Sequence, residues 1–213
     1  MGGPRGAFRG PPVSIPFVQA AHCGPSRKGD PIWLIVIHTM EAKEKPRTAY
    51  NVAFWFAGTN APQASAHYCV DSDDTVQCVK EDVIAWAAPG ANRYGIHIEH
   101  AGYASQKPID WQDEYSQKML HRSAALAAEI AQRYAIPIVK LSPGDLQIDP
   151  AATGFCGHVD VTIGRNAGHG HTDPGSSFPW DQYLGMVYAA MAKTDPNIRL
   201  LADTEPPGED EDA

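Results

Sequence analysis

Ile32-Trp33-Leu34-Ile35-Val36-Ile37-His38 is the stretch on which the fold turns. Six apolar residues run without polar alternation, four of them β-branched, and stop at a histidine. A run this short and this uniformly apolar reads as a strand covered on both faces. Its last residue, His38, then falls at a strand end, the open edge of the sheet where α/β folds place functional groups. A histidine that merely caps a strand is also common, so position alone leaves His38 open.

Outward from this strand, the chain alternates helical and extended patterns. Residues 47–57 show helical apolar spacing and stop at Gly58, which reads as a cap. Two short runs, 66–70 and 75–80, are separated by Asp71-Ser72-Asp73-Asp74, a hairpin signal. Gly95–Glu99 reads as a strand with Ile96 and Ile98 on one face and His97 and Glu99 on the other. Leu120, Ala124, Ala127, Ala131 and Tyr134 form a stripe at spacings of three and four, which predicts a helix over 114–135 with Pro137 beyond its end. A last helix is expected over 180–193, after Pro179. Strands interleaved with helices point to an α/β or α+β domain, a mixed central sheet flanked by helices. The expected organisation is an irregular Gly- and Pro-rich lead-in over 1–29, one domain over 30–195, and an acidic tail or linker over 196–213.

Composition bounds the function. At 213 residues the chain can bury a full core. No apolar run approaches the roughly 18 residues of a membrane span, so membrane insertion is not expected. The net charge of −8 misleads, because Asp203, Glu205, Glu209, Asp210, Glu211 and Asp212 lie in the last eleven residues. The remainder is near neutral and has no basic stripe, which argues against a nucleic-acid partner. The N-terminal MGGPRGAFRGPP lacks the apolar stretch of a secretory signal, and Gly6 breaks the myristoylation pattern. Synthesis in the cytoplasm is therefore expected. The four cysteines form no CxxC pair; reduced thiols are expected, with Cys69 and Cys78 flanking the hairpin turn.

Among nine histidines, two contexts stand out besides His38. His158 lies in Gly157-His158-Val159-Asp160, and Asp173 follows in Thr172-Asp173-Pro174-Gly175. An Asp-Pro-Gly segment is an ordinary turn, since Pro fixes φ and Gly permits positive φ. It is also a rigid mount for a carboxylate. Two imidazoles and one carboxylate make a zinc set with a fourth position open for water, which is a catalytic arrangement. Spacing alone does not pick these three from nine histidines and 25 acidic residues.

Their order along the chain does. Ile35-Val36-Ile37-His38-Thr39, Ser65-Ala66-His67-Tyr68 leading to Asp73-Asp74-Thr75, the strand over 95–102, Gly157-His158, Thr172-Asp173-Pro174-Gly175 and Phe178-Pro179-Trp180 occur in sequence. This pattern, over about residues 30–193, resembles the type-2 zinc N-acetylmuramoyl-L-alanine amidases related to peptidoglycan recognition proteins. It is similar in particular to the amidase modules of phage lysins, including those directed at mycobacterial hosts. The resemblance implies one Zn2+ per chain held by His38, His158 and Asp173, and hydrolysis of the amide between the lactyl group of N-acetylmuramic acid and L-alanine. It implies that Glu99 orients or deprotonates the attacking water. Many relatives carry a Lys two residues before the third ligand, as oxyanion donor. Here that position is His171, which can donate the same hydrogen bond but titrates near pH ~6.5. His169 is an alternative donor. Tyr50 and His67 are candidates to line the substrate groove, with packing in or behind it the equal alternative; Trp55, Trp86 and Trp111 could offer sugar-stacking surfaces, although a Trp is more often simply packed. The Trp-His that often follows the hairpin is Trp86-Ala87 here, and the turn glycine is Asp74.

The resemblance also implies peptidoglycan or muropeptide as the partner. A monomer is expected, as one module of a longer lysin that reaches the wall after release from the host cytoplasm. The rival readings are a non-catalytic peptidoglycan-binding module, a zinc peptidase acting within the stem peptide, and a scaffold whose histidines are incidental. Recognition proteins that only bind usually lack the third ligand, so Asp173 favours an enzyme.

Overall fold

The structure, a computed structural model, describes residues 14–167 and 170–194. The expected acidic tail, the first part of the lead-in and His169 lie outside the described residues. In chain order the elements are β1 (Leu34–Thr39), α1 (Thr48–Ala57), β2 (Tyr68–Val70), β3 (Thr75–Gln77) and β4 (Gly95–His100). A single 3₁₀ turn (Asp110–Gln112) precedes α2 (Glu114–Tyr134), α3 (Pro143–Ile148), β5 (Gly154–Gly157), α4 (His158–Gly164) and α5 (Trp180–Thr194).

The five strands form one sheet in the order β3-β2-β4-β1-β5. β1 lies parallel between β4 and β5, β2 is parallel to β4, and only the β2–β3 hairpin is antiparallel. The sheet is therefore mixed and flanked by helices, as the alternation of patterns predicts. All six residues of β1 are buried, which explains why its sequence shows no alternation.

The two faces of the sheet have different chemistry. Ile35, Ile37, Ile96, Ile98, Tyr68, Val70 and Phe155 pack on one face against Met119, Leu120, Ala124, Ala127, Ile130 and Ala131 of α2 and Tyr183, Val187 and Met191 of α5. This is the main apolar core. The register places His38, Glu99 and Cys69 side by side on the opposite face, with Val36 and His97 one pleat earlier. That second face carries the site. Its flank is closed by Ala49, Ala53 and Phe56 of α1.

Local chemistry sets these elements. Asp113 caps α2 by accepting a hydrogen bond from Ser116 N at 2.7 Å. The buried Asp71 carboxylate closes the hairpin turn through Asp73 N and Asp74 N (2.8 and 2.7 Å) and also accepts from Ala49 N (2.8 Å). One side chain thus completes the turn and the uncapped start of α1. Residues 16–20 run beside β3, with Val18 N donating to Gln77 O and Ala20 N to Cys78 O. Cys69 and Cys78 are free, buried thiols with their sulfurs 3.7 Å apart.

Candidate metal centre and active-site groove

His38, His158 and Asp173 come from three separate places and meet at the C-terminal edge of the sheet. His38 is near the end of β1, His158 opens α4 directly after β5, and Asp173 sits on the turn before Phe178. His38 Nδ1 lies 2.9 Å from Asp173 Oδ2, and His158 Nδ1 lies 3.2 Å from Asp173 Oδ1. One ligand atom from each residue falls within 4.8 Å of the others, and all three residues are buried. Ligands about 2 Å from one tetrahedral ion sit roughly 3.3 Å from each other. The donor types and their spacing therefore fit a metal ion.

The mounts are rigid for identifiable reasons. The Asp173 carbonyl accepts from Val159 N at 2.9 Å, tying the turn to α4. A Cβ on Gly157 would lie 2.5 Å from Pro174 Cδ, and one on Gly175 (φ +93°) would strike the Ala104 carbonyl. Both glycines allow the close approach that brings the carboxylate to the histidines. Asp160 accepts from Gly157 N (2.6 Å) and from Lys140 Nζ (2.7 Å), which steadies the start of α4. Burial alone would push the Asp173 carboxyl up. Hydrogen bonds from His158 and His38 outweigh burial and hold it well below the usual carboxylate range. The same burial lowers the His38 pKa, with Asp173 working against the shift.

These three residues lie in a cavity of ≈ 220 Å³ that also involves Thr39, Glu41, Trp55, Phe56, Trp86, Glu99 and His171. Glu99, the register neighbour of His38, is half-buried; its Oε2 is shut off from solvent and has no hydrogen-bond partner among the described residues. Burial first, then the charge of Asp173, pushes its carboxyl well up. His171 stacks on the His158 ring (centroids 3.9 Å apart, 22° between planes), with its Nδ1 3.8 Å from Asp173 Oδ1. Its side chain is 47% exposed, so one flank of the ring faces the groove.

The structure places three of the groove candidates away from the groove. His67 is fully buried beneath His97 and reaches no groove wall. Its Nδ1 accepts from His97 N (3.0 Å), and its Nε2 lies 3.1 Å from Val83 O and 3.0 Å from the buried Arg27 guanidinium. Tyr50 does not line the cavity; it packs against Phe54 with the Arg47 guanidinium 5.0 Å above its ring. Trp111 is fully buried against Phe178 and offers no surface, whereas Trp55 and Trp86 are exposed at the groove. Sequence reasoning also passed over His97, which lies 3.1 Å from His38, although the strand alternation had placed it on the face of Glu99.

The buried histidines dictate how the metal-free protein responds to acid. Burial holds His67 at about 3, helped by Arg27, and holds His100 at about 4. Both are neutral when folded but titrate near ~6.5 when unfolded. Their folded pKa values are depressed, so the unfolded state takes up more protons as pH falls below ~6.5. Stability is complete above that pH and is lost progressively down to about 4 for His100 and about 3 for His67, at roughly 1.4 kcal/mol per pH unit for each group. Denaturant titrations of chelated protein at pH 7 and pH 5 should show a lower unfolding free energy at pH 5, with uptake of about two protons or more on unfolding. Equal stability at the two pH values would refute this account of the buried imidazoles.

A mixed sheet carrying an open His–His–Asp cluster and a carboxylate on one groove floor defines a hydrolase domain able to hold a metal ion. Residues 28–176 match the sequence pattern of the N-acetylmuramoyl-L-alanine amidase family. The chain belongs to that family of enzymes. N-acetylmuramoyl-L-alanine amidase A of Achromobacter lyticus is 29% identical over 159 residues, covering 72% of this chain and 81% of the relative. Hydrolase AmiA of Staphylococcus aureus, solved in complex with its ligand, superposes with a TM-score of 0.64 at 16% identity, covering 88% of this chain and 86% of that one. The endolysin amidase LysCS of Clostridium intestinale superposes with a TM-score of 0.51 at 16% identity, over 81% and 94% of the two chains. At these identities the solved structures speak to the fold alone. No helix among the described residues is long and apolar enough to cross a membrane.

Proposed function

We propose that this amidase cleaves the bond between the lactyl carbonyl of N-acetylmuramic acid and the nitrogen of L-alanine, that it does so with one zinc ion on His38, His158 and Asp173, and that it serves as the lytic module of a phage. The observation that carries the reading is the convergence of those three buried side chains on the floor of an open groove, with Glu99 beside them. Zinc held by His38, His158 and Asp173 would supply Lewis acidity toward the carbonyl and lower the pKa of a water toward neutrality.

The chain's own residues supply the rest. Asp173 contributes one negative charge to a site otherwise made of neutral imidazoles. Glu99 has an oxygen without a hydrogen-bond partner among the described residues and lies beside His38 in register, which supports its taking the proton of the attacking water and delivering it to the leaving nitrogen. Water adds to the carbonyl carbon, the C–N bond breaks, and the products are a lactyl carboxylate and a free alanine amine. His171 is placed to donate a hydrogen bond to the oxygen that gains charge. Trp55 and Trp86 give the groove two apolar walls where sugar or peptide faces can stack.

Mass spectrometry of products from purified muropeptides, with and without a chelator, tests the bond and the metal together. The expected products are an unsubstituted muramyl sugar and a stem peptide with an alanine N-terminus, formed only in the metal-replete sample. Fragments cut within the peptide, or binding without cleavage, would overturn the assignment. The lytic role extends to this chain, by analogy, the endolysin role of LysCS, which shares its fold. Its test is cytoplasmic expression in a host, followed by a pore-forming agent: lysis should require the pore and be absent in His158→Ala. His171→Ala should raise the barrier by roughly 3 kcal/mol, about a hundredfold in turnover, with zinc retained. An unchanged rate in that variant removes His171 from the reaction.

A further inference from the structure

We propose that His97 is a positioning residue for the metal centre: its Nδ1 accepts a hydrogen bond from His38 Nε2–H and so holds the ligand His38 in the ring orientation and tautomer that leave Nδ1 free for the ion. The inference rests on the metal-site reading above and adds to it a residue outside the ligand set.

A neutral imidazole carries one proton, and the nitrogen that binds a metal must not be the one carrying it. His38 Nδ1 points at Asp173, 2.9 Å away, inside the cluster. Without an ion that contact is an Nδ1–H donated to the carboxylate; once an ion takes Nδ1 the proton must sit on Nε2, which lies 3.1 Å from His97 Nδ1. A ligand histidine generally donates its second N–H to a fixed acceptor, and that acceptor sets both tautomer and ring orientation. In the metal-loaded protein His97 Nδ1 is the group within reach to accept it.

His97 is itself held on several sides. Its backbone N–H donates to His67 Nδ1 (3.0 Å), and its carbonyl accepts from His67 N (3.1 Å). The His97 ring lies nearly parallel to that of His67, with centroids 5.6 Å apart. Its Nε2 edge fills the space over Gly95, where a Cβ would come within 3.2 Å. With Nδ1 accepting, the His97 proton lies on Nε2, which is buried without a hydrogen-bond partner among the described residues. An orphaned buried N–H is destabilising. A side chain present for packing alone would be better apolar. The one satisfied ring nitrogen of His97 is the one aimed at the ligand. A neutral acceptor also adds no second negative charge to a site that already contains Asp173.

The test measures zinc affinity of the full chain by competition with a chromophoric chelator, together with the unfolding free energy of metal-free protein, for wild type, His97→Leu and His97→Asn. Asn can present its Oδ1 at the position of Nδ1. His97→Leu should bind zinc 10–100-fold more weakly while its metal-free stability does not fall, and His97→Asn should recover most of the affinity. Wild-type zinc affinity in His97→Leu overturns the inference. So does a Leu variant that loses affinity and metal-free stability together while Asn restores neither, since that is the signature of packing. An NMR measurement needs no variant: zinc-loaded wild type should show His38 as the Nε2–H tautomer with a slowly exchanging proton, and an Nδ1–H tautomer overturns the proposal. Failure of wild type to bind zinc is a separate outcome, which overturns the metal-site reading underneath.

Discussion

Asp173→Ala is expected to leave a folded protein that retains no zinc after dialysis and cleaves muropeptide at least about 10⁴-fold more slowly, the scale seen when a member of a catalytic unit is deleted. The carboxylate is the only charged member of the cluster and touches both histidines, at 2.9 and 3.2 Å. Its loss removes a ligand and also the group that aligns the other two. In the metal-free protein it strands two buried imidazole nitrogens, at roughly 1–3 kcal/mol each. The fold should survive that loss, because the main core lies on the opposite face of the sheet, between the isoleucines of β1 and β4 and helices α2 and α5. Metal analysis, product mass and circular dichroism check the three parts separately. Asp173→Cys provides the complementary arm: a thiolate is a good zinc ligand, so zinc should return. Full zinc content and turnover in the alanine variant would show that the ligand set is wrong.

How much of this was legible in the sequence follows from how each element is stabilised. β1 could be read because burial on both faces leaves an unbroken apolar run. α2 could be read because its buried stripe, Leu120, Ala124, Ala127 and Ala131, repeats at helical spacing. In β4, alternation correctly separated Ile96 and Ile98 from His97 and Glu99. β5 could not be read. Its ends, Gly154 and Gly157, are glycine because Val139 and Pro174 approach too closely for a Cβ, and glycine hides a strand from any propensity argument. α4 has seven residues, too few to show a period.

The site was legible only in part, for a related reason. His38 and Asp173 are 135 positions apart, and nothing local announces that the end of β1, the β5–α4 junction and the 172–175 turn share one sheet edge. Residue type and order selected them through family resemblance; spacing did not. His67 is instructive. Its sequence context allowed a groove residue or a packed one, and Arg27 and the backbone at Val83 roof it over. Periodicity tells which face a side chain takes, and not whether another segment covers that face. Arg27, buried with its guanidinium on the carbonyls of Glu81, Asn92, Arg93 and Gly95, came from a stretch that read only as an irregular lead-in.

Glu99→Gln separates catalysis from architecture at the other half of the site. The amide matches the carboxylate in shape but cannot take a proton from water at neutral pH, so turnover should fall by roughly 10²–10⁴. Zinc content should not change, because Glu99 is outside the ligand cluster. Stability gives an independent reading. Burial, followed by repulsion from Asp173, holds the Glu99 carboxyl well above its ordinary range in the metal-free protein. A group whose folded pKa is raised favours folding below its unfolded pKa of ~4.3 and loses that advantage as pH climbs through the folded value. At pH 7 the carboxyl therefore works against the fold, and a permanently neutral amide removes that opposition. Metal-free Glu99→Gln should resist denaturant as well as wild type or better, while its zinc form hydrolyses almost nothing. Zinc bound nearby would draw the carboxyl back toward ionisation, so the stability gain should shrink in metal-loaded protein. A variant that keeps wild-type turnover would take Glu99 out of the chemistry, and one that unfolds more readily without metal would make it a structural residue.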